Sequence, residues 1–269
     1  MNLQKIKIYD IQLKVNRDTS DFNWYQQRGV FEERVSPLYS MIANEEFSHF
    51  FDIGANYGYI SLLMKKHSSN IKIIAIEADP RLVPVIKDNF ELNHAHDIDV
   101  INAVVSDCCK VDSAFCINPN SSLDNRVNMP EWEQVSVPSL TLDKIISDHC
   151  NSDSKIFLKI DTQGFEQFVL KGAINSLNEM NNWMIKMEFA PNWLISQGTD
   201  PLVLLQDLCR DYQVAEAPAR VPYKNTSLAG LFNHPIEAVD AEKFLNYVVH
   251  LNNYKLGWVD LVVRPKQLG

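Results

Sequence analysis

The sequence predicts an α/β protein built on a mostly parallel sheet with helices on both faces. Short apolar runs alternate with amphipathic helical segments along most of the 269 residues, the pattern of strands joined by helical crossovers. Several runs are apolar nearly throughout, as strands buried on both faces are. Two of them leave through a glycine-containing turn directly into a helix.

Seven strands are expected: 49–53, 71–76, 99–105, 155–160, 183–189, 212–216 and 258–264. Helix starts are marked between them. Asp79-Pro80 reads as an N-cap with proline at the first helical position, followed by Leu82, Ile86 and Phe90 on one face. Asp200-Pro201 repeats the signal before Leu204, Leu205, Leu208 and Tyr212, and Asp240 opens a helix carrying Phe244, Leu245 and Val248. Residues 113–138 break the rhythm with two short strand candidates, 114–117 and 134–137, around an Asn-rich loop; they read as an insertion after the third strand. Residues 1–45 are expected to form an N-terminal cap with a helix over 31–43, and residues 46–269 a single domain.

Composition narrows the function. A chain with 46% hydrophobic and 22% charged residues has the apolar content for a core, which excludes disorder. A net charge of −9, with no basic run longer than Lys65-Lys66, argues against nucleic acid as a partner. Five cysteines, an odd number without a C-x-x-C pair, fit a reducing compartment and give no zinc-ligand spacing. No apolar run approaches the roughly 20 residues of a membrane span, and the first residues lack the apolar stretch of a signal peptide. A soluble, cytoplasmic protein is expected.

Glycine is scarce: nine residues, about half the usual frequency of roughly 7%. Four of the nine, Gly54, Gly58, Gly164 and Gly172, fall in two segments. In the first, residues 50–61 read as a strand, a tight turn and a helix, with Gly54 and Gly58 placed to let the backbone approach a ligand. Asp52 at the strand end suits a cationic group and would repel a phosphate, unlike the glycine-rich dinucleotide turn. Glu77 ends the second strand, where a carboxylate can accept both hydroxyls of a ribose. Asp107, after the third, can accept the exocyclic amine of an adenine. A ligand with an amino-acid end, a ribose and an adenine satisfies all three acids, and S-adenosylmethionine is such a ligand.

The second segment, Lys155 to Ala173, holds K-I-D-T-Q-G-F-E and V-L-K-G-A. Together with D-I-G-A-N-Y-G at 52–58, Glu77, Ser106-Asp107 and Leu140-Thr141-Leu142-Asp143, it resembles the FkbM-type family of S-adenosylmethionine-dependent methyltransferases. The resemblance runs from about residue 30 to 190, and Trp258–Val262 is similar to the closing strand. It implies a class I methyltransferase (Rossmann-like) fold, a seven-stranded sheet whose last strand is reversed. It also implies O-methylation of a hydroxyl on a sugar, glycan or polyketide. It places Asp52, Gly54, Ala55, Asn56, Gly58, Glu77, Ala78, Ser106 and Asp107 around the cofactor.

An alcohol is a poor nucleophile until its proton is removed, so a base or a metal is needed. Asp161 and Glu188 are the candidates at the ends of the fourth and fifth strands. Lys159 shares a face with Asp161, and Lys186 with Glu188, so two lysines and two acids meet, and a buried lysine holds a nearby carboxylate ionised. Asp161 is then the base, or Asp161 and Glu188 hold a divalent cation, or the four groups merely brace the sheet. Glu166 reads as a helix-dipole partner, and Gly172 as a mid-helix packing residue. His234, in the long connection before the last strand, is a further catalytic candidate, with Tyr223, Lys224 and Asn225 nearby as acceptor contacts or an exposed polar loop. The partner is a small-molecule or glycan acceptor. Alternatives are an amine-directed methyltransferase and a catalytically silent cofactor-binding module in a glycan-assembly complex.

Overall fold

The computed structural model describes residues 1–27, 37–217, 227–251 and 257–266. The chain opens with an antiparallel hairpin, β1 (Leu3–Ile8) and β2 (Ile11–Asn16), whose alternating apolar residues Ile8, Ile11, Leu13 and Val15 are buried. Helix α1 (Ser20–Gln27) follows, and residues 37–43 are helical (α2). The hairpin was not foreseen; the expected helix over 31–43 is met in its described part, and residues 31–36 lie outside the described residues.

The core then winds as β3 (His49–Ile53), α3 (Tyr59–His67), β4 (Lys72–Glu77), α4 (Val83–Leu92) and β5 (Asp99–Asn102). A three-stranded sheet comes next, from β6 (Val104–Val105), β7 (Lys110–Ile117) and β8 (Glu133–Leu140). Helix α5 (Leu142–His149), β9 (Ile156–Ile160), α6 (Glu166–Lys171), α7 (Ile174–Glu179) and β10 (Trp183–Phe189) continue the alternation. Helices α8 (Pro191–Ser196) and α9 (Pro201–Asp211), β11 (Tyr212–Ala217), α10 (Ala241–His250) and β12 (Val259–Pro265) complete it.

The main sheet has seven strands in the order β11-β12-β10-β9-β3-β4-β5, parallel except for β12, which runs antiparallel to both neighbours. Strands β9 and β10 are buried at every position, and two apolar clusters cover the sheet's faces. This is the class I methyltransferase arrangement with a β insertion after the third sheet strand. Among the described residues no helix is long and apolar enough to cross a membrane.

Three sequence expectations are corrected. The strand expected over 99–105 breaks at Ala103. Its amide donates to the Glu77 carbonyl (3.2 Å), and the chain then leaves the main sheet, so that Val104 and Val105 pair with β8 instead. Helix α4 starts at Val83, with Pro84 in its first turn; Asp79 instead accepts from the Arg81 amide (2.9 Å) and guanidinium in a turn ahead of it. Gly172 lies between α6 and α7 rather than within one helix, where a Cβ would meet the Ser106 carbonyl oxygen at 2.1 Å. Asp200, by contrast, caps α9 as expected, accepting from the Leu202 and Val203 amides.

Candidate active site

Where the strand order reverses, between β3 and β9, the carboxyl ends of a parallel sheet leave a crevice. It holds a cavity of about 640 Å³. The β3–α3 turn forms its floor. Gly54 has φ +77°, and a Cβ there would meet the Asp161 carbonyl oxygen at 2.0 Å; at Gly58 (φ +79°) it would meet the Phe90 ring at 2.6 Å. The two glycines therefore admit protein neighbours: Gly54 brings the turn onto the end of β9, and Gly58 seats α3 on α4. Gly54, Ala55 and Asn56 line the cavity, and Gly58 does not.

Glu77, at the end of β4, is buried against the cavity. One carboxylate oxygen accepts the Asn56 amide (2.7 Å) and the other the Asp79 amide (2.8 Å). Burial pushes its pKa up to about 7 against the pull of those two amides. Each carboxylate oxygen retains acceptor capacity beyond its single amide, so Glu77 remains able to take ribose hydroxyls. Ala78 lines the cavity beside it, with Val104 and Phe115 supplying an apolar wall suited to a flat base.

The other two predicted acids lie elsewhere. Asp52 is fully buried behind the wall, accepting from Ser61 Oγ (2.6 Å) and facing Lys159 Nζ at 3.2 Å. It holds an internal lysine and does not line the cavity. Asp107 is exposed, accepting from the Ser106 hydroxyl (3.1 Å), and neither residue lines the cavity. At the break at Ala103 the chain passes to the second sheet: Val104 and Val105 pair with β8 and still line the cavity, and Ser106 and Asp107 follow beyond it.

At the opposite end of the cavity, Asp161 and Glu188 come together as expected, since Lys159 and Lys186 are register partners on β9 and β10. Lys159 Nζ donates to the Gly54 carbonyl (2.7 Å) and lies 3.2 Å from Asp52 and 3.6 Å from Asp161. Burial works against its charge, but the two aspartates outweigh it and its pKa is raised. Lys186 is drawn to Asp260 on β12 (2.6 Å). The lysine that the sequence assigned to Glu188 thus pairs elsewhere, and burial, with Asp161 beside it, raises the Glu188 carboxyl well above the usual range.

Asp260 was missed. It lines the cavity and sits opposite Glu188 in the antiparallel register, a pairing that period-2 alternation in the last strand signals. Gln163, in the left-handed region (φ +57°), was missed too. Its Nε2 donates to Asp161 (3.0 Å) and reaches Glu188 at 3.4 Å, while its Oε1 is buried with no hydrogen-bond partner among the described residues. The amide occupies the space between the two carboxylates that the cation alternative needs, and no group of three or more His, Cys, Asp or Glu among the described residues is arranged to hold a metal. The residues present do not fit a bound cation.

Glu166 is structural. It accepts from the Thr162 amide (2.9 Å) and hydroxyl (3.1 Å) and from the Gly164 amide (3.2 Å), closing the turn that presents Asp161 and Gln163. Burial pushes its pKa up to about 7. His234 is exposed and outside the cavity; Ile236, two residues on, pairs with Val214 on the edge strand β11, which holds this stretch at the rim of the sheet. Tyr223, Lys224 and Asn225 lie outside the described residues.

The methyltransferase FkbM domain matches residues 52–212, more than half of the chain. The protein belongs to the FkbM methyltransferase family. The matched span includes Glu77, Asp161, Gln163 and Glu188 and excludes α1 and β12. No curated protein sequence matches the chain. Solved structures similar to it include a putative methyltransferase from Thermobifida fusca YX, with 10% identity over 89% of this chain and 82% of that one and a TM-score of 0.48. The plantazolicin methyltransferase BamL, in complex with a triazolic desmethylPZN analog and SAH, has 9% identity over 91% and 90%, with a TM-score of 0.47. Precorrin-6y C5,15-methyltransferase from Geobacter metallireducens GS-15 has 11% identity over 86% and 87%, with a TM-score of 0.42. At such scores these likenesses add nothing to what the sheet order already establishes.

Proposed function

We propose that this methyltransferase moves a methyl group from S-adenosylmethionine to a hydroxyl of a sugar, glycan or other hydroxylated metabolite. The observation that carries the reading is that one cavity joins a ribose-type carboxylate, Glu77, to an acid pair, Asp161 and Glu188, across the switch point of the sheet. Ala78, Val104 and Phe115 suit the base, and the backbone of residues 54–56 suits the amino-acid end. The bound donor supplies an electrophilic methyl on a sulfonium.

The chain's own task is to aim the acceptor and take its proton. Asp161, 36% exposed in its side chain and flanked by Lys159 and the Gln163 amide, accepts the hydroxyl proton as the acceptor oxygen bonds to carbon and the sulfur–carbon bond breaks. Glu188, whose carboxyl burial raises well above the usual range, lines the cavity beside Asp161 and adds hydrogen-bonding capacity.

Calorimetric titration with S-adenosylhomocysteine tests the donor half. Mass spectrometry of an acceptor panel incubated with isotopically labelled donor tests the acceptor half. Mass gain on hydroxylated acceptors is expected. Gain confined to amines overturns the hydroxyl assignment, binding without any transfer indicates a silent module, and no binding by the wild type overturns the reading as a whole.

A further inference from the structure

Helix α1 lies outside the span matched by the FkbM domain, yet Asn23, Trp24 and Tyr25 line the same cavity as Glu77. Its attachment is polar and buried. Asp21, with no exposed surface, accepts from Tyr57 Oη (3.1 Å), Ser121 Oγ (2.7 Å), and the Ser122 amide (3.0 Å) and hydroxyl (2.7 Å). Tyr57 belongs to the β3–α3 turn, while Ser121 and Ser122 belong to the insertion. Tyr57 Oη in turn accepts the Asn16 amide (3.3 Å) at the end of the hairpin. One carboxylate thus ties three segments, distant in sequence, around one corner of the cavity.

A second chain of bonds reaches the cofactor residues. Tyr25 Oη donates to Asn56 Oδ1 (3.1 Å), Asn56 Nδ2 donates to Ser122 Oγ (3.1 Å), and the Asn56 amide donates to Glu77 (2.7 Å). Asn56 has φ +52°, a conformation that costs a non-glycine residue free energy unless its surroundings hold it. The Tyr25 ring packs edge-on against Tyr57 and Tyr59, so α1 meets the turn through both rings and hydrogen bonds. A wall attached only for stability would need neither a contact to the residue that presents its amide to Glu77 nor five residues facing the cavity.

We infer that α1 is the outer wall of the cofactor subsite and that Asp21 is the positioning residue that locks this wall to the β3–α3 turn and the insertion. The inference rests on the cofactor reading proposed above. Binding of S-adenosylhomocysteine by the wild type is the control that separates failure of that reading from failure of this one.

The test uses the full chain, with S-adenosylhomocysteine as the probe. Asp21→Asn replaces an acceptor-only carboxylate by an amide that turns two donors toward hydroxyls and an N–H. The dissociation constant is expected to rise at least tenfold, measured well below the melting temperature of the variant. Tyr25→Phe keeps the ring and removes the bond to Asn56; the expected rise is about threefold, the scale of one hydrogen bond. Trp24, measured by hydroxyl-radical labelling and mass spectrometry, is expected to become protected when the probe binds. A wall with a purely structural role would lower the melting temperature of Asp21→Asn and leave its affinity unchanged. Unchanged affinity in folded Asp21→Asn, or in Tyr25→Phe should the first variant not fold, together with unaltered labelling of Trp24, overturns the inference.

Discussion

The two ends of the cavity are built on opposite principles. At the Glu77 end each polar group has its protein partner: backbone amides hold the carboxylate, and Asn56 is fixed on three sides. At the Asp161 end, charges are crowded. Two lysines pair with Asp52, Asp161 and Asp260 beside Glu188, and among the described residues the buried amide oxygen of Gln163 has no hydrogen-bond partner. The first end resembles a preformed binding site, whose groups need not move to receive a ligand. The second stores the unsatisfied polarity that reaction centres keep for groups arriving with the substrate. Binding and chemistry are thus expected to separate under mutation.

The largest separation is expected for Asp161→Asn. Removing a general base costs on the order of 10³-fold in turnover, while the dissociation constant for S-adenosylhomocysteine should stay within about twofold; methyl-transfer assays and calorimetry together check it. The mirror image is Glu77→Ala, expected to weaken that binding by roughly 100-fold, the scale of two hydrogen bonds to a charged group. Loss of affinity in Asp161→Asn equal to that in Glu77→Ala would erase the distinction between the ends.

Gly54 is where the ends touch. Gly54→Ala places a methyl 2.0 Å from the Asp161 carbonyl oxygen at a φ of +77°, so a loss of roughly 3 kcal/mol is expected in urea unfolding. Acidity gives a smaller effect. Glu77 has a pKa of about 7, and if ribose hydroxyls bind its ionised form, affinity for S-adenosylhomocysteine rises about tenfold from pH 6 to 8. Glu77→Gln should flatten that dependence. Stability without ligand runs the other way. Glu77 and Glu166 are both raised from 4.5 to about 7 by folding, so the folded chain binds more protons than the unfolded one between those values. Their contribution is complete below pH 4.5 and falls as pH rises to about 7, which thermal melts across that window would register. The smallest effect belongs to His234→Ala and Asp107→Asn. Both residues are exposed and outside the cavity, and each substitution should leave affinity and turnover within about twofold.

Much of this was legible in the sequence because strand ends are local signals. The runs 49–53 and 183–189 coincide with β3 and β10, and the face-sharing of Lys159 with Asp161 and of Lys186 with Glu188 followed from period 2 alone. Partner choice was not legible. Asp52 suits a cation in sequence, but the cation is Lys159, a residue 107 positions away. Lys186 has Glu188 two residues off and pairs instead with Asp260, because β12 inserts beside β10 and brings the register partner of Glu188 within reach. The displacement of Asp107 needed knowledge that Ala103 breaks its strand to join a second sheet. The N-terminal hairpin was readable from the period-2 alternation of Ile6 and Ile8, then Ile11, Leu13 and Val15.

The position of β12 has a consequence for how the enzyme is made. This strand is the last of the described strands in sequence, yet it lies inside the sheet, between β10 and β11. During synthesis the segments that form the Glu77 end emerge early, whereas the gap between β10 and β11 stays open until residues 259–265 arrive. Lys186, some 74 positions upstream of Asp260, waits for its counter-ion until then. Non-local closure of this kind is a slow step in folding, so the Asp161 end is expected to be assembled last, and a ribosome stalled before residue 259 would carry a chain whose Glu77 end has all its strands and whose Asp161 end lacks β12.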